Sequence, residues 1–455
     1  MSSPPVRPIP VHRVPQDAAL ALGRHGTRAQ AEIIEAARVL FGTRGYHGVT
    51  VEEIGEASGR TGTSVYRYFA NKTEIFRVLM ADLGADLLRH GRRLGRLGPE
   101  HGGFDELRMW LHGFGLLVHR HNATFSLWRA ADPGDASLVE PARRFIDRWC
   151  EVVGARIEEA GVDLDPPALA TALLTTAQRV HELRTRVPWT CSEADLAETF
   201  ARVFQLAMFP ASVTGFGEIR QAPRRTRRTP GLVVAEPLPL PPGLGSEPGS
   251  APPWTLRLRR PLTSRGVGTV QRIITAAADV SARQGLHGTS IKDIAAAADV
   301  GYASVYTYWR DHGDIVAALT DQAAVHLTGW LGAASAVGRG PGCLATVRPW
   351  VERYLAGYPR HAAVLRSWTI GASEAPELNG VRRSVATLAR STFDRMMDGS
   401  PLDDLLDRRC AEAVVCALLV EFPYNTHLFL PGWPGENTAD DTVAVILARG
   451  LLGDL

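Results

Sequence analysis

Gly59-Arg60-Thr61-Gly62-Thr63-Ser64-Val65-Tyr66-Arg67-Tyr68-Phe69 decides the fold, because its core returns as Ser304-Val305-Tyr306-Thr307-Tyr308 in a fixed register. The offset is 240 residues from Ser64 to Ser304 (304 − 64), and it is the same from Gly45 to Gly285 (285 − 45) and from Gly48 to Gly288 (288 − 48). Ile33, Ile34, Ala36, Ala37, His47, Ile54, Ala57, Ile75 and Leu79 also recur unchanged at that distance. A repeat running from Gly26–Leu79 to Gly266–Leu319 is seldom an accident of composition.

Each copy reads as three short helices followed by a longer one. Ile33, Ala36, Ala37, Leu40 and Phe41 place one apolar stripe on a first helix, which Gly45 stops. Thr50 followed by Glu53 is a cap signature for a second helix that turns Val51, Ile54 and Ala57 inward. After the turn at Ser58-Gly59 comes a short helix carrying Thr63 to Phe69. Two helices joined by a glycine turn make a helix-turn-helix, whose second helix fits a major groove about 12 Å wide.

These residues resemble the TetR family of transcriptional regulators. That family has Gly-Tyr near the end of its first helix, a Thr before an acidic second helix, and a G-V-S-K-G-x-L-Y-x-H-F run into the recognition helix. The counterparts here are Gly45-Tyr46, Thr50 and the Gly59–Phe69 stretch, with Asn71-Lys72-Thr73-Glu74 opening the fourth helix. The resemblance implies an all-α fold of two TetR-like units. Each would join a three-helix DNA-binding domain to a helical ligand and dimerisation bundle.

A chain of 455 residues, 45% hydrophobic and 22% charged, has room for two or three ordinary globular domains. A net charge of +2 does not announce a nucleic-acid binder, yet acidic ligand-domain helices can mask a local basic face. Lys72 and Lys292 are the only lysines, so arginine carries the positive charge. Cys150, Cys191, Cys343, Cys410 and Cys416 are odd in number and lack Cys-x-x-Cys spacing, which reads as reduced thiols in a cytoplasmic protein. No leader-like apolar core and no long apolar span is found, so no membrane is expected.

In chain order, residues 1–22 read as a disordered arm ending near Arg24, His25 and Arg28, either a phosphate or minor-groove contact or a plain soluble tail. Residues 23–80 are the first DNA-binding domain and 81–220 the first bundle, with helices near Phe104–His121, Ala136–Ala160, Pro167–Arg186 and Ser192–Phe209. Residues 221–262 hold Arg224-Arg225-Thr226-Arg227-Arg228 and a proline tract, and read as an interdomain linker. Residues 263–320 and 321–455 repeat the two domains, since Arg108, Trp110, Arg120, His121, Trp128 and Arg143 also recur at the same offset.

Helix-turn-helix proteins pair to reach half-sites about 34–36 Å apart. A flexible linker of about forty residues spans on the order of 35 Å and gives effective concentrations near the millimolar range. Pairing within one chain is therefore favoured over a homodimer, and the two unlike heads could read a non-palindromic operator in double-stranded DNA.

The candidate DNA-contacting residues of the first head are Arg28, Thr50, Arg60, Thr61, Thr63, Ser64, Tyr66, Arg67, Tyr68 and Lys72, with Arg67 foremost. Those of the second are Ser290, Tyr302, Ser304, Tyr306, Thr307, Tyr308 and His312. Tyr66 and Tyr306 are the tyrosines expected to pack against the first helix of their heads. Ser281 stands where Phe41 stood, which leaves a gap for a neighbour such as Trp309 to fill.

Trp110, Phe114, Leu117, Phe125, Trp128, Leu174 and Met208 in the first bundle, with Trp350, Tyr354, Trp368, Phe393 and Met397 in the second, are candidate walls for a small lipophilic effector. His112 and His119 lack acidic or cysteine partners at regular spacing, so no metal is expected, and no cofactor either. Gly266-Val267-Gly268 lacks the third glycine of a dinucleotide fingerprint and His181-Glu182 lacks the second histidine of a zinc protease, so an enzyme is not expected. The competing reading is a helical partner-binding pseudo-regulator whose second half has lost DNA binding. Gly301 and His312, together with Ser281, are the departures that favour it.

Overall fold

The computed structural model describes residues 16–46, 48–125, 136–186, 191–218, 253–286, 288–370, 376–429 and 436–455, and among the described residues there are helices and no strand. Helix α1 runs Gln16–Arg44, α2 Val51–Ala57, α3 Gly62–Val65 and α4 Lys72–Gly91. The first bundle follows as α5 (His101–Arg120), α6 (Ala136–Glu159), α7 (Pro166–Arg186), α8 (Glu193–Met208) and short α9 (Val213–Glu218). The second half comprises α10 (Ser264–Gln284), α11 (Ile291–Ala297), α12 (Tyr302–Tyr308), α13 (His312–Gly332), α14 (Leu344–Ile370), α15 (Pro376–Met397), α16 (Arg408–Phe429) and α17 (Glu436–Leu447). It ends in a π-helical turn, Ala448–Leu452. Helix starts keep the sequence offset: 291 − 51, 312 − 72 and 376 − 136 all equal 240.

Two expectations about the connecting segments change. Helix α1 already begins at Gln16, because the Asp17–Leu22 run of alanine and leucine favours helix over a loose arm. Residues 253–262, read as the end of the linker, are folded: Pro253–Arg257 form a 3-10 turn packed on α13. Trp254 is buried there, and Arg257 grips the buried Asp321 through Nε–Oδ2 at 2.6 Å and Nη2–Oδ1 at 3.2 Å. Most of the proline tract and the arginine run at 224–228 lie outside the described residues.

Each head closes over its own core. Ile33, Ala37 and Phe41 of α1 meet Ile54, Val65, Phe69 and Ile75. In the second head Val270, Ile273 and Ala277 meet Ile294, Val305 and Ile315. Ser281 is buried where Phe41 stood, and Trp309 is fully buried in the same head, a larger side chain at the position of Phe69.

The two bundles share one apolar core, which runs from Leu83 to Phe216 and on from Ala324 to Leu452. Helix α8 shows why. Twelve of its sixteen residues are buried, including every residue from Thr199 to Met208, and a helix buried on all sides has partners on all sides. Its own α5 covers one face, and α16, α17 and the π turn of the second half cover another. Helix α7 packs along α16. Arg202 Nη1 donates to the Leu405 carbonyl at 2.6 Å, and a Cβ on Gly450 would lie 2.4 Å from the Val203 carbonyl oxygen, so the halves meet at backbone distance.

Candidate nucleic-acid interface

The first head displays a short, well-capped reading helix. Gly59 adopts φ +71° in the turn, a left-handed conformation glycine takes without penalty. Thr61 then caps α3, its Oγ1 accepting the Ser64 N–H at 3.3 Å and lying 3.0 Å from the Ser64 hydroxyl. Thr50 caps α2 in a capping box with Glu53, whose carboxyl is held below its usual range by the Thr50 N–H and then by Arg44. Thr63, Tyr66 and Arg67 face solvent, while Ser64 and Tyr68 are half-buried and Val65 and Phe69 buried. Tyr66 is 51% exposed, so of the two tyrosines in this stretch it is Tyr68, at the rim of the core, that packs, and not Tyr66 as expected.

Three basic candidates of this head have partners inside the protein. Arg60 donates to the Ser58 carbonyl at 2.6 Å and to Glu32 of α1 at 2.7 Å, so it ties the turn to the first helix instead of standing free as an added charge. Arg28 pairs with the same Glu32 at 2.9 Å but stays largely exposed, and Arg60 followed by Arg28 lowers the Glu32 pKa. Lys72 Nζ donates to the carbonyls of Tyr46 at 2.7 Å and Val49 at 2.9 Å, over the Tyr46 ring, and burial lowers its pKa. Lys72 thus fastens the loop before α2 to the start of α4. The Arg67 side chain has no such partner among the described residues and lies exposed just after α3.

The second head differs in detail. Asp299 takes φ +52° at the position of Gly59, and Gly301 caps α12 without a side chain. Tyr302 is 53% exposed and its hydroxyl lies 3.0 Å from that of Tyr306, a contact that raises the Tyr306 pKa. Tyr308 is buried and Tyr306 only half-buried, which reverses the expectation for this head. Thr307 bonds its Oγ1 back to the Ala303 carbonyl at 3.3 Å. Ser304 and His312 are half-buried, and Ser290 forms a capping box with Asp293, holding that carboxylate low.

Sequence reading missed a basic edge on this head. The Arg259 N–H donates to the Tyr308 carbonyl at 2.9 Å and its Nη1 to the Tyr306 carbonyl at 3.0 Å, while Arg260 lies over the Tyr308 ring. Both arginines are exposed beside the end of α12. The run Arg257-Leu258-Arg259-Arg260 just before the second head was the available signal.

The sequence pattern of the bacterial regulatory proteins of the tetR family matches residues 33–79 and again residues 273–319. The chain carries the tetR-family DNA-binding pattern twice in tandem. A 60-residue stretch is 35% identical to the HTH-type transcriptional repressor AcnR of Corynebacterium glutamicum, covering 13% of this chain and 32% of AcnR. A 53-residue stretch is 40% identical to the HTH-type transcriptional regulator YfiR of Bacillus subtilis, covering 12% and 26%. The chain therefore spans about a third or less of the length of these HTH-type relatives. Among solved structures, SmeT, the repressor of the Stenotrophomonas maltophilia multidrug efflux pump SmeDEF, is 19% identical over 38% of this chain and 87% of SmeT, with a TM-score of 0.30. FadR of Bacillus subtilis, solved with stearoyl-CoA, is 16% identical over 38% and 96%, with a TM-score of 0.32.

Behind the TetR-type heads, the bundles differ at equivalent positions. In the first, Trp110 Nε1 donates to the His90 carbonyl at 3.0 Å, and His90 Nε2 lies 3.0 Å from the Trp110 carbonyl. In the second, Trp330 and Trp350 make the same reciprocal pair at 2.9 and 3.0 Å with stacked rings. Burial holds His90 down at about 4.

Trp350, Phe393 and Met397 line a small cavity between α13, α14, α15, α16 and the C-terminal turn, walled almost wholly by apolar atoms. The other effector candidates lie elsewhere. Trp110 and Phe114 are buried in the first bundle, and Tyr354 spends its hydroxyl on the Leu419 carbonyl at 2.8 Å. Trp368 is half-buried between the second head's core and the bundle core, and Trp128 lies outside the described residues.

Proposed function

We propose that this chain is a DNA-binding transcriptional regulator that works as a pseudo-dimer within one polypeptide, presenting α3 and α12 to successive turns of an asymmetric operator. The observation that carries the reading is the single apolar core shared by α7 and α8 with α16 and α17. A seam of that kind holds two heads at a set distance, which half-sites one helical turn apart require. The residues for contact are Thr63, Tyr66 and Arg67 on the first head and Tyr302, Thr307, Arg259 and Arg260 on the second. The exposed Tyr302 and the arginine edge favour a second head that still binds DNA over one that has lost it.

Regulation in this reading comes from a lipophilic small molecule in the cavity walled by Trp350, Phe393 and Met397. Its almost wholly apolar lining suits a lipophilic ligand, which would have to widen the cavity as it enters. Helix α14 carries Trp350 at the cavity and Trp368 against the second head's core, which gives a filled cavity a physical route to the head spacing. A ligand that favours a spacing mismatched to the grooves lowers DNA affinity by its differential affinity for that state.

A gel shift on DNA upstream of the protein's own coding region, at several salt concentrations, tests the proposal. Binding that prefers this DNA over random duplex and weakens steeply with salt supports it. Absent or salt-insensitive binding overturns it.

A further inference from the structure

We propose that Cys191, Asp407 and Cys410 form a binding site for one thiophilic divalent cation of the Zn²⁺ class, held across the seam between the two halves. Cys191 precedes α8 in the first half, whereas Asp407 and Cys410 sit at the start of α16 in the second. Their sulfur and carboxylate ligand atoms all lie within 4.8 Å of one another, with Cys191 Sγ 3.9 Å from Asp407 Oδ1. A zinc–sulfur bond of about 2.3 Å sets neighbouring ligands of a tetrahedral site about 3.8 Å apart, so shifts of under about 1 Å complete the arrangement.

The chemistry of the donors fits a soft cation. Two thiols and one carboxylate converge, a mixed sulfur and oxygen set that zinc accepts and that magnesium or calcium does not prefer. Asp407 is oriented independently of any metal, since its Oδ1 accepts the N–H groups of Arg409 at 3.0 Å and Cys410 at 2.9 Å as the cap of α16. The arginines around it face elsewhere: Arg408 is gripped by Asp398 and Asp403, Arg409 by Asp394 and Glu412, and Arg202 reaches Glu198 and the Leu405 carbonyl.

Cys410 is buried and Cys191 half-exposed, so three protein ligands leave a fourth position on the open side for water. The site has no twin across the repeat. Pro167 and Ala170 stand 240 positions before Asp407 and Cys410, and Pro431 stands 240 after Cys191. The trio is thus a feature of one side of the seam, and a cation there would bind both halves whether or not the heads bind DNA.

The test is titration of the reduced, chelator-stripped full chain with Co²⁺, followed by displacement with Zn²⁺. The expected result is one equivalent bound, with intense thiolate-to-cobalt absorption and the visible bands of a tetrahedral site, both erased by Zn²⁺. Cys191→Ser and Asp407→Asn should each weaken binding by more than the roughly 10–100-fold that loss of a supporting partner costs, with folding checked by circular dichroism. Cys343→Ser, buried elsewhere in the second bundle, should bind as the natural chain does. The proposal is overturned if no sulfur–cobalt absorption develops, if Cys191→Ser binds unchanged, or if the pair forms a disulfide in air and takes up no cation after reduction.

Discussion

Replacing Arg179 by Ala strikes the seam between the halves at its one ion pair buried on both sides among the described residues. Arg179 of α7 places Nε 3.3 Å from Glu421 Oε1 of α16, and the two side chains are only 3% and 9% exposed. An exposed pair would be worth about 0.2–1 kcal/mol. Removing one member of a buried pair strands the other charge and costs about 3–5 kcal/mol, whereas replacing both by apolar residues of similar volume is close to neutral. Arg179→Ala should therefore lower stability by about 3–5 kcal/mol, and the double variant Arg179→Met with Glu421→Met should recover most of it. Urea unfolding of the full chain reads both, using emission from Trp149 in the first half and Trp254 and Trp309 in the second, all fully buried. A cost below about 1 kcal/mol, or a double variant no better than the single, would show a solvated pair and refute the buried seam.

Other outcomes are expected at the heads and in the bundles. Arg67→Ala should weaken operator binding by about 1–3 kcal/mol, roughly 5- to 150-fold, and Thr307→Ala far less because Thr307 bonds to its own helix; equal losses in a gel shift would contradict this order. Gly59→Ala should destabilise the first head by about 1–2 kcal/mol, since φ is +71° there, while Asp299→Gly should gain up to about 1 kcal/mol by relieving φ +52°; opposite signs in thermal unfolding would refute the assignment. Burial holds His90 and His361 at about 4, below the usual histidine value, so the unfolded chain takes up protons first on acidification. That stability is complete at neutral pH and lost as pH falls from about 6.5 towards 4, by up to about 1.4 kcal/mol per histidine per pH unit. His90→Trp, which copies Trp330, should flatten the dependence, and a melting temperature unchanged between pH 7 and pH 5 would count against it.

What could be read from the sequence was local or periodic. The glycine turns and the Thr50–Glu53 box depend on neighbours within a few residues, the repeat on a constant offset, and all are formed. What could not be read depended on partners distant in the chain. Arg60 and Lys72 look like free cations until Glu32 and the Tyr46 and Val49 carbonyls are placed beside them. Which tyrosine packs, Tyr66 or Tyr68, follows from a half-turn of helix phase that short helices leave open. Trp110 looks like a pocket wall until its indole is found bonded to α4. Cys191 and Cys410 show no motif because they lie 219 residues apart (410 − 191) and meet only when the halves do. Trp254 was hidden by its place beside a proline tract, although it belongs to the second head's core.

Sedimentation of the operator complex at low protein concentration measures the central claim most directly, by counting chains per duplex. The account predicts one chain on one operator, and a free chain that stays monomeric on dilution. Two chains per duplex, or an obligate dimer of full chains in dilute solution, would contradict it.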